Sequence, residues 1–323
     1  MLVATLAVSG ALLEAGVRLT GMQPSSMGPP RFAMVSDPDL GFRLSPDAVW
    51  HVATSEVDFT VRTNRYGFRG GEWSVTAPSV VFLGSSETFG WGTEGEATFP
   101  ALVQERLNEA GVSVEVHDLG VFGYNLHQIE SLTRTWAHPA PRAIVLGVSW
   151  LTGGLSANDT AFRVIDGFFV ERNRFPDGRP TLLYRAYALA YSHSRAAAVV
   201  IDRLRILRHG GVSAPAVPEI TDNDRQTAEA IARHVRRIRD LVPGSPFAVL
   251  IGDDLPYDLA RFRLLAESLR AAEIEVIDTL EPMLAAGQAS RYPRDGHWNE
   301  LGHRIVAGAV WEWLEPQLTG SAR

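Results

Sequence analysis

The chemistry this chain could perform starts from one hydroxyl, one imidazole and one carboxylate. An alcohol is a poor nucleophile until a base takes its proton, and imidazole takes and returns a proton near neutrality. Ser86 lies in the stretch Ser79-Val80-Val81-Phe82-Leu83-Gly84-Ser85-Ser86-Glu87-Thr88-Phe89-Gly90-Trp91-Gly92. Far downstream, Tyr292-Pro293-Arg294-Asp295-Gly296-His297-Trp298-Asn299-Glu300-Leu301-Gly302-His303 supplies Asp295 two residues before His297. A carboxylate so placed can hold the imidazole in the useful tautomer and stabilise the imidazolium that forms. The order Ser, Asp, His is one of several in which that geometry recurs. Each residue also has an ordinary explanation: a turn serine, a loop aspartate, a helix-start histidine. Asn299 reads as the cap of the last helix.

The elements around these residues can position them. Val80–Leu83 is an apolar run suited to a strand buried on both faces. It breaks at Gly84 and leads to a helical pattern from Phe99 to Ala110, so the serines sit at the carboxyl edge of a strand. Open α/β sheets place their sites at that edge, and amides at a helix start favour negative charge. Strand and helix then alternate: strand Val112–Leu119, helix Leu126–Trp136, strand Ala143–Val148, helix Gln226–Val242, strand Phe247–Ile251, helix Asp258–Ala272, strand Ile274–Asp278 and helix Glu300–Leu318. That alternation predicts an α/β fold, a parallel sheet with helices on both faces.

With both blocks in this order, the chain resembles the SGNH (GDSL-like) hydrolase family. Gly84-Ser85-Ser86-Glu87-Thr88-Phe89-Gly90 is similar to its first block and Asp295-Gly296-His297 to its last. The resemblance runs from Ser79 to Leu318 and implies a three-layer α/β/α sandwich with a flavodoxin-like parallel sheet. It also implies a serine esterase in which Ser86 is the nucleophile, His297 the base and Asp295 its orienter. Alignment on Gly84, Thr88 and Gly90 selects Ser86 over Ser85, which stands where the family usually has an Asp that steadies the turn. Asp118-Leu119-Gly120-Val121-Phe122-Gly123-Tyr124-Asn125 resembles the second block, which makes Gly123 an oxyanion-hole donor. The third block usually supplies an Asn after strand three. Here the Asn-Asp pair is Asn158-Asp159, later than the family pattern, so Asn158 is the implied donor, with Thr152 or Asn125 as substitutes.

Composition narrows the partners. The 323 residues carry a formal net charge of -7, which argues against nucleic acid, since phosphate binding wants clustered basic residues. All 30 basic residues are Arg, so no Lys-bearing phosphate loop exists. Without cysteine there is neither a disulfide framework nor a thiolate metal site. The nine histidines show no pair with ligand spacing beside carboxylates, so no metal and no cofactor are expected. The partner expected is a small-molecule or glycan ester.

Three segments are expected: residues 1–21, a membrane anchor or signal-like helix; residues 22–77, a β-rich stalk or flap; and residues 78–319, the hydrolase-like domain, with 151–224 inserted near the site edge. Residues 2–17 are mostly apolar but shorter than the roughly 20 residues a bilayer span needs. Two readings stand: a helix packed on the domain, or an anchor, since similar family members begin with an anchor ending in an acidic residue and then an Arg, as Glu14 and Arg18 do here. The anchor reading implies a membrane-anchored or exported protein of the bacterial cell envelope. Within the insertion, Leu182–Leu207 reads as a helix and Phe162–Phe175 as an aromatic piece, either a lid or plain padding. The expected activity is hydrolysis of small acyl, O-acetyl-type esters on cell-surface or extracellular glycans. The rivals are an O-acyltransferase using the same serine and a non-catalytic glycan-binding domain.

Overall fold

The computed structural model describes residues 1–136, 140–153, 162–175, 179–209, 219–252 and 259–319. The chain opens with α1 (Leu2–Leu19) and two antiparallel hairpins, β1 (Met34–Asp37) with β2 (Gly41–Leu44), then β3 (Val49–Ala53) with β4 (Asp58–Arg62). There follow β5 (Ser79–Gly84), α2 (Ser86–Phe89), α3 (Phe99–Glu109), β6 (Glu115–Gly120), α4 (Leu126–Trp136), β7 (Ala143–Val148) and α5 (Trp150–Gly153). A third hairpin, β8 (Phe162–Ile165) with β9 (Phe168–Glu171), precedes α6 (Leu182–His193), α7 (Arg195–His209) and α8 (Asp222–Asp240). The chain closes with β10 (Phe247–Ile251), α9 (Leu259–Ala271), β11 (Glu275–Ile277), α10 (Leu280–Ala286) and α11 (Glu300–Thr319).

The central sheet has five parallel strands in the order β11-β10-β7-β5-β6. Counted along the chain, its strands run 2-1-3-4-5, the flavodoxin-like order whose switch point lies between the first and third. Here those are β5 and β7, and α2 follows β5 directly. Every residue of β5 and of β10 is buried, as their unbroken apolar runs require. Helix α3 packs with α11, and α8 packs with both α4 and α9, giving two helical groups that flank the sheet. The expected α/β/α architecture is therefore what the chain adopts. Strand β6 begins three residues later than the pattern Val112–Leu119 suggested, because Gly111 turns the chain at φ +68° and pairing starts only at Glu115 opposite Ser79.

The first two hairpins share the core of the sheet. Phe42, Phe59 and Val61 are fully buried, and Trp50 stacks on Phe89 of α2 with ring centroids 6.4 Å apart.

Helix α1 is the packed-helix alternative rather than a span. Among the described residues no helix is long and apolar enough to cross a bilayer, which corrects the transmembrane reading of residues 2–17. Glu14 instead serves α7. Its carboxylate accepts the Ser194 hydroxyl at 2.8 Å and the amides of Ala196 and Arg195 at 2.9 and 3.2 Å, and so caps that helix. The Ala196 amide pulls the Glu14 carboxyl down to about 2, against the opposing effect of burial and with help from Ser194 and Arg18. That cap also explains why the helix expected over Leu182–Leu207 is two helices, broken at Ser194. Val17 packs with Ala196 and Val199 beneath it.

The strand ends form a glycine seat for α2. An added Cβ at Gly84 would lie 2.0 Å from Thr88 Oγ1, at Gly147 2.4 Å from the same atom, and at Gly120 2.4 Å from the Phe89 nitrogen. At Gly252, past β10, it would meet Glu87 Cγ at 3.1 Å. From the opposite side Arg69, only 4% exposed, donates to the carbonyls of Phe89, Gly90 and Thr93 at 2.8, 2.7 and 2.5 Å. Burial lowers the Arg69 guanidinium to about 10 and raises the nearby Asp118 carboxyl to about 7, the latter moderated by the Gly120 amide and by Arg69 itself.

Gly120→Ala should lower stability by about 1–3 kcal/mol or more, read as a drop in the urea midpoint, because backbone cannot yield as a side chain would. Gly308→Ala, in the interior of α11 with open space around its Cβ, should instead be neutral or stabilising. The raised Asp118 pKa means that this group favours the folded state below about pH 4 and that the benefit is lost as pH rises towards about 7. Asp118→Asn can keep the Gly120 bond, so the stability difference between the two proteins should move in the variant's favour between pH 4 and 7; a constant difference would contradict this.

Candidate active site

Ser86 is the first residue of α2, at the carboxyl end of β5 and so at the switch-point edge. Ser85 holds the N-cap position, yet its hydroxyl makes no capping bond, so it does not perform the amide-holding role of the family's Asp. The turn is held instead by Arg69, by the glycine seat and by Gly90, which closes α2 in the left-handed region at φ +75°. The Ser86 hydroxyl donates to Glu87 Oε2 at 3.2 Å.

Asp295 and His297 lie on a tight loop just before α11. The His297 Nδ1–H donates to Asp295 Oδ1 at 2.5 Å, which leaves Nε2 as the ring nitrogen on the far side from the carboxylate. Burial would raise the Asp295 carboxyl, but the hydrogen bond and charge of His297, its backbone amide and the Trp91 side chain together hold it below its ordinary value. Asp295 is therefore ionised at neutral pH, as an orienting carboxylate must be. Three groups fix the loop. Gly296, at φ +85°, donates its amide to the Tyr292 carbonyl at 2.9 Å. The Tyr292 hydroxyl donates to the Gly92 carbonyl at 2.7 Å, tying the loop to the serine block. Glu56, between β3 and β4, accepts the amides of Arg294 and Asp295 at 2.9 and 3.0 Å. Asn299 caps α11 as expected, its Oδ1 accepting the amides of Leu301 and Gly302 at 3.0 and 3.2 Å.

Ser86, Gly123, Asp295 and His297 all line one cavity of about 900 Å³. Gly123 follows β6 in the left-handed region at φ +83°, with Phe162 packed so close that a Cβ would meet its ring at 3.1 Å. The insertion also lines this cavity: β8 and β9 contribute Phe162 and Phe169, and α6 contributes Tyr184, Tyr187 and Tyr191. The insertion thus faces the site rather than padding the domain elsewhere. Asn158 and the side chain of Thr152 lie outside the described residues. Asn125 is fully buried and caps α4, its Oδ1 accepting the Gln128 amide at 3.0 Å.

Arg69 and Glu56 carry no signal in the sequence. A buried arginine that serves carbonyls twenty or more residues away leaves no local spacing. Glu56 acts on residues 238 and 239 positions later, and only the fold brings it to the loop. The histidines differ from expectation too. Where α4 meets α8, His127, Glu130 and His234 converge, although they show no ligand spacing in sequence.

No protein family profile matches the chain, and no curated protein matches it. Among solved structures it is similar to that of TesA, at 16% identity and a TM-score of 0.44, covering 74% of this chain and 99% of that one. It is similar to the acetyl xylan esterase AlAXEase at 14% identity and a TM-score of 0.42, covering 73% of this chain and 99% of the other. It is also similar to a lipase/acylhydrolase from Enterococcus faecalis, at 11% identity and a TM-score of 0.43, with 75% and 97% of the two chains covered.

Proposed function

We propose that this chain is a serine esterase that cleaves small acyl esters through an acyl-enzyme. The observation that carries the reading is the 2.5 Å Asp295–His297 pair in the wall of the cavity that also holds Ser86. Ser86 Oγ leaves Glu87, gives its proton to His297 Nε2 and attacks the ester carbonyl. The tetrahedral oxyanion is received by the amides of Ser86 and Gly123. Collapse breaks the carbon–oxygen bond, and His297 returns the proton to the leaving alcohol. Water, activated by the same imidazole, then attacks the acyl-Ser86 carbonyl, releasing the acid and restoring the serine. Asn158 is the third donor proposed from the family pattern.

The cavity is far larger than an acetyl group, and Tyr184, Tyr187 and Tyr191 in its lining offer flat faces with polar tips. These faces support an O-acylated glycan as substrate, the acyl group at Ser86 and the sugar against the tyrosines. For location we propose the cell envelope, with the chain exported and held at a lipid surface. Helix α1 supports this, since its sequence is mostly apolar and Leu12 and Leu13 are 69% and 52% exposed, leaving an apolar face for lipid to cover.

On short-chain p-nitrophenyl esters, Ser86→Ala should lower kcat by roughly five to six orders of magnitude, while Ser85→Ala keeps most of the activity. Steady-state kinetics decides it: the reverse order would move the nucleophile to Ser85, and full activity in Ser86→Ala would remove the mechanism. For location, the full chain should float with phosphatidylglycerol-containing vesicles in a density gradient, and Leu12→Asp/Leu13→Asp should not. Wild-type protein left wholly at the bottom would contradict the lipid contact and leave the esterase reading standing.

A further inference from the structure

Away from the cavity, three side chains that the esterase reading does not use meet between two helices. His127 and Glu130 stand three residues apart on α4 and so share a face, and His234 comes from α8, which packs against it. One ligand atom from each, two imidazole nitrogens and a carboxylate oxygen, all lie within 4.8 Å of one another. His234 Nε2 is 2.8 Å from Glu130 Oε2, and the two imidazole rings have centroids 4.3 Å apart. A tetrahedral ion with bonds of about 2.0–2.1 Å sets its ligands about 3.4 Å apart, so small side-chain rotations suffice.

The surroundings of the three groups are these. Burial pushes His234 down to about 4, with His127 and Arg237 pressing the same way, and burial lowers His127 too. Burial opposes ionisation of Glu130, but Arg134 and His234 outweigh it and hold its carboxyl below the ordinary value. Arg134 Nη2 donates to the other carboxylate oxygen, Oε1, at 2.5 Å, the kind of outer support that orients a ligating carboxylate. Arg237 Nε stands 3.8 Å from Oε2, a loose ion pair from an exposed side chain. A His234–Glu130 hydrogen bond alone accounts for two of the three groups; it gives no role to the second imidazole turned against the first.

We propose that His127, Glu130 and His234 form a binding site for a transition-metal ion of the Zn²⁺ type, clamping α4 to α8. Two imidazoles and a carboxylate select such an ion over Mg²⁺ or Ca²⁺, which prefer all-oxygen shells. The site stands apart from the esterase reading, and either can fail without the other.

The full chain, freed of metal by chelation, can be titrated with Zn²⁺ while Tm is followed, and with Co²⁺ while its visible spectrum is followed. Saturating Zn²⁺ should raise Tm by roughly 5 °C, and Mg²⁺ should not. Co²⁺ should give the d–d bands of a tetrahedral nitrogen–oxygen site. His127→Ala should remove both signals, as should His234→Ala. His193→Ala, a change at an exposed histidine, should keep them. His127 is only half-buried, so its variant decides the matter if His234→Ala fails to fold. No Zn²⁺ shift and no Co²⁺ bands in the wild type would overturn the proposal. So would both signals surviving in His127→Ala, since the ion would then sit elsewhere, for example at His297.

Discussion

The structure depends on a steric constraint at the sheet's carboxyl edge: α2 can sit there only because the strand ends beneath it carry no side chains. Gly84, Gly120 and Gly147 lie at the ends of three adjacent strands, and a Cβ at any of them would strike Thr88 or the α2 backbone at 2.4 Å or less. Thr88 fills the space left over the first and third, and the Phe89 amide lies over the second. That contact fixes where Ser86 emerges from β5, to within the play allowed by close packing. Arg69 then locks the turn by donating to the carbonyl of Phe89, the last residue of α2, and to those of Gly90 and Thr93 just beyond it. A charged group is costly to bury, and its lowered pKa records that cost. The hydrogen bonds it makes to three carbonyls are what hold it there.

The same logic extends to the imidazole. The Asp295–His297 loop is not carried by regular structure, so its position comes from neighbours: Glu56 holds its amides, the Tyr292 hydroxyl ties it to Gly92, and the Trp91 side chain reaches the Asp295 carboxylate. Two of these contacts come from the serine block itself. The two halves of the candidate site, some two hundred residues apart in the chain, are thus braced against each other directly. The N-terminal segment braces both halves: Trp50 stacks on Phe89 and Arg69 binds the carbonyls at the turn, while Glu56 holds the loop.

Those parts of this arrangement that obey local rules are legible in the sequence. Strands β5, β7 and β10 can be read there because burial on both faces writes an unbroken apolar run. Asn299 can be read as a cap because capping is decided within three residues. What acts across long separations cannot. Glu14 resembles the end of an anchor, and only the packing of α1 on α7 shows it capping a helix some 180 residues later, and with it why Leu182–Leu207 breaks in two. Arg69 resembles a turn residue because its partners lie on another element. His127 and Glu130 have helical spacing, but without α8 alongside them there is no His234 to complete a cluster.

If the Asp295–His297 pair activates Ser86, that serine must be more reactive than an ordinary surface hydroxyl. A fluorophosphonate probe applied to the folded protein, followed by peptide mapping by mass spectrometry, tests this without any assumption about substrate. A single adduct at Ser86, strongly suppressed in His297→Ala, is the expected result. Folded protein that carries no adduct at Ser86, or labelling there that is indifferent to His297, would contradict it.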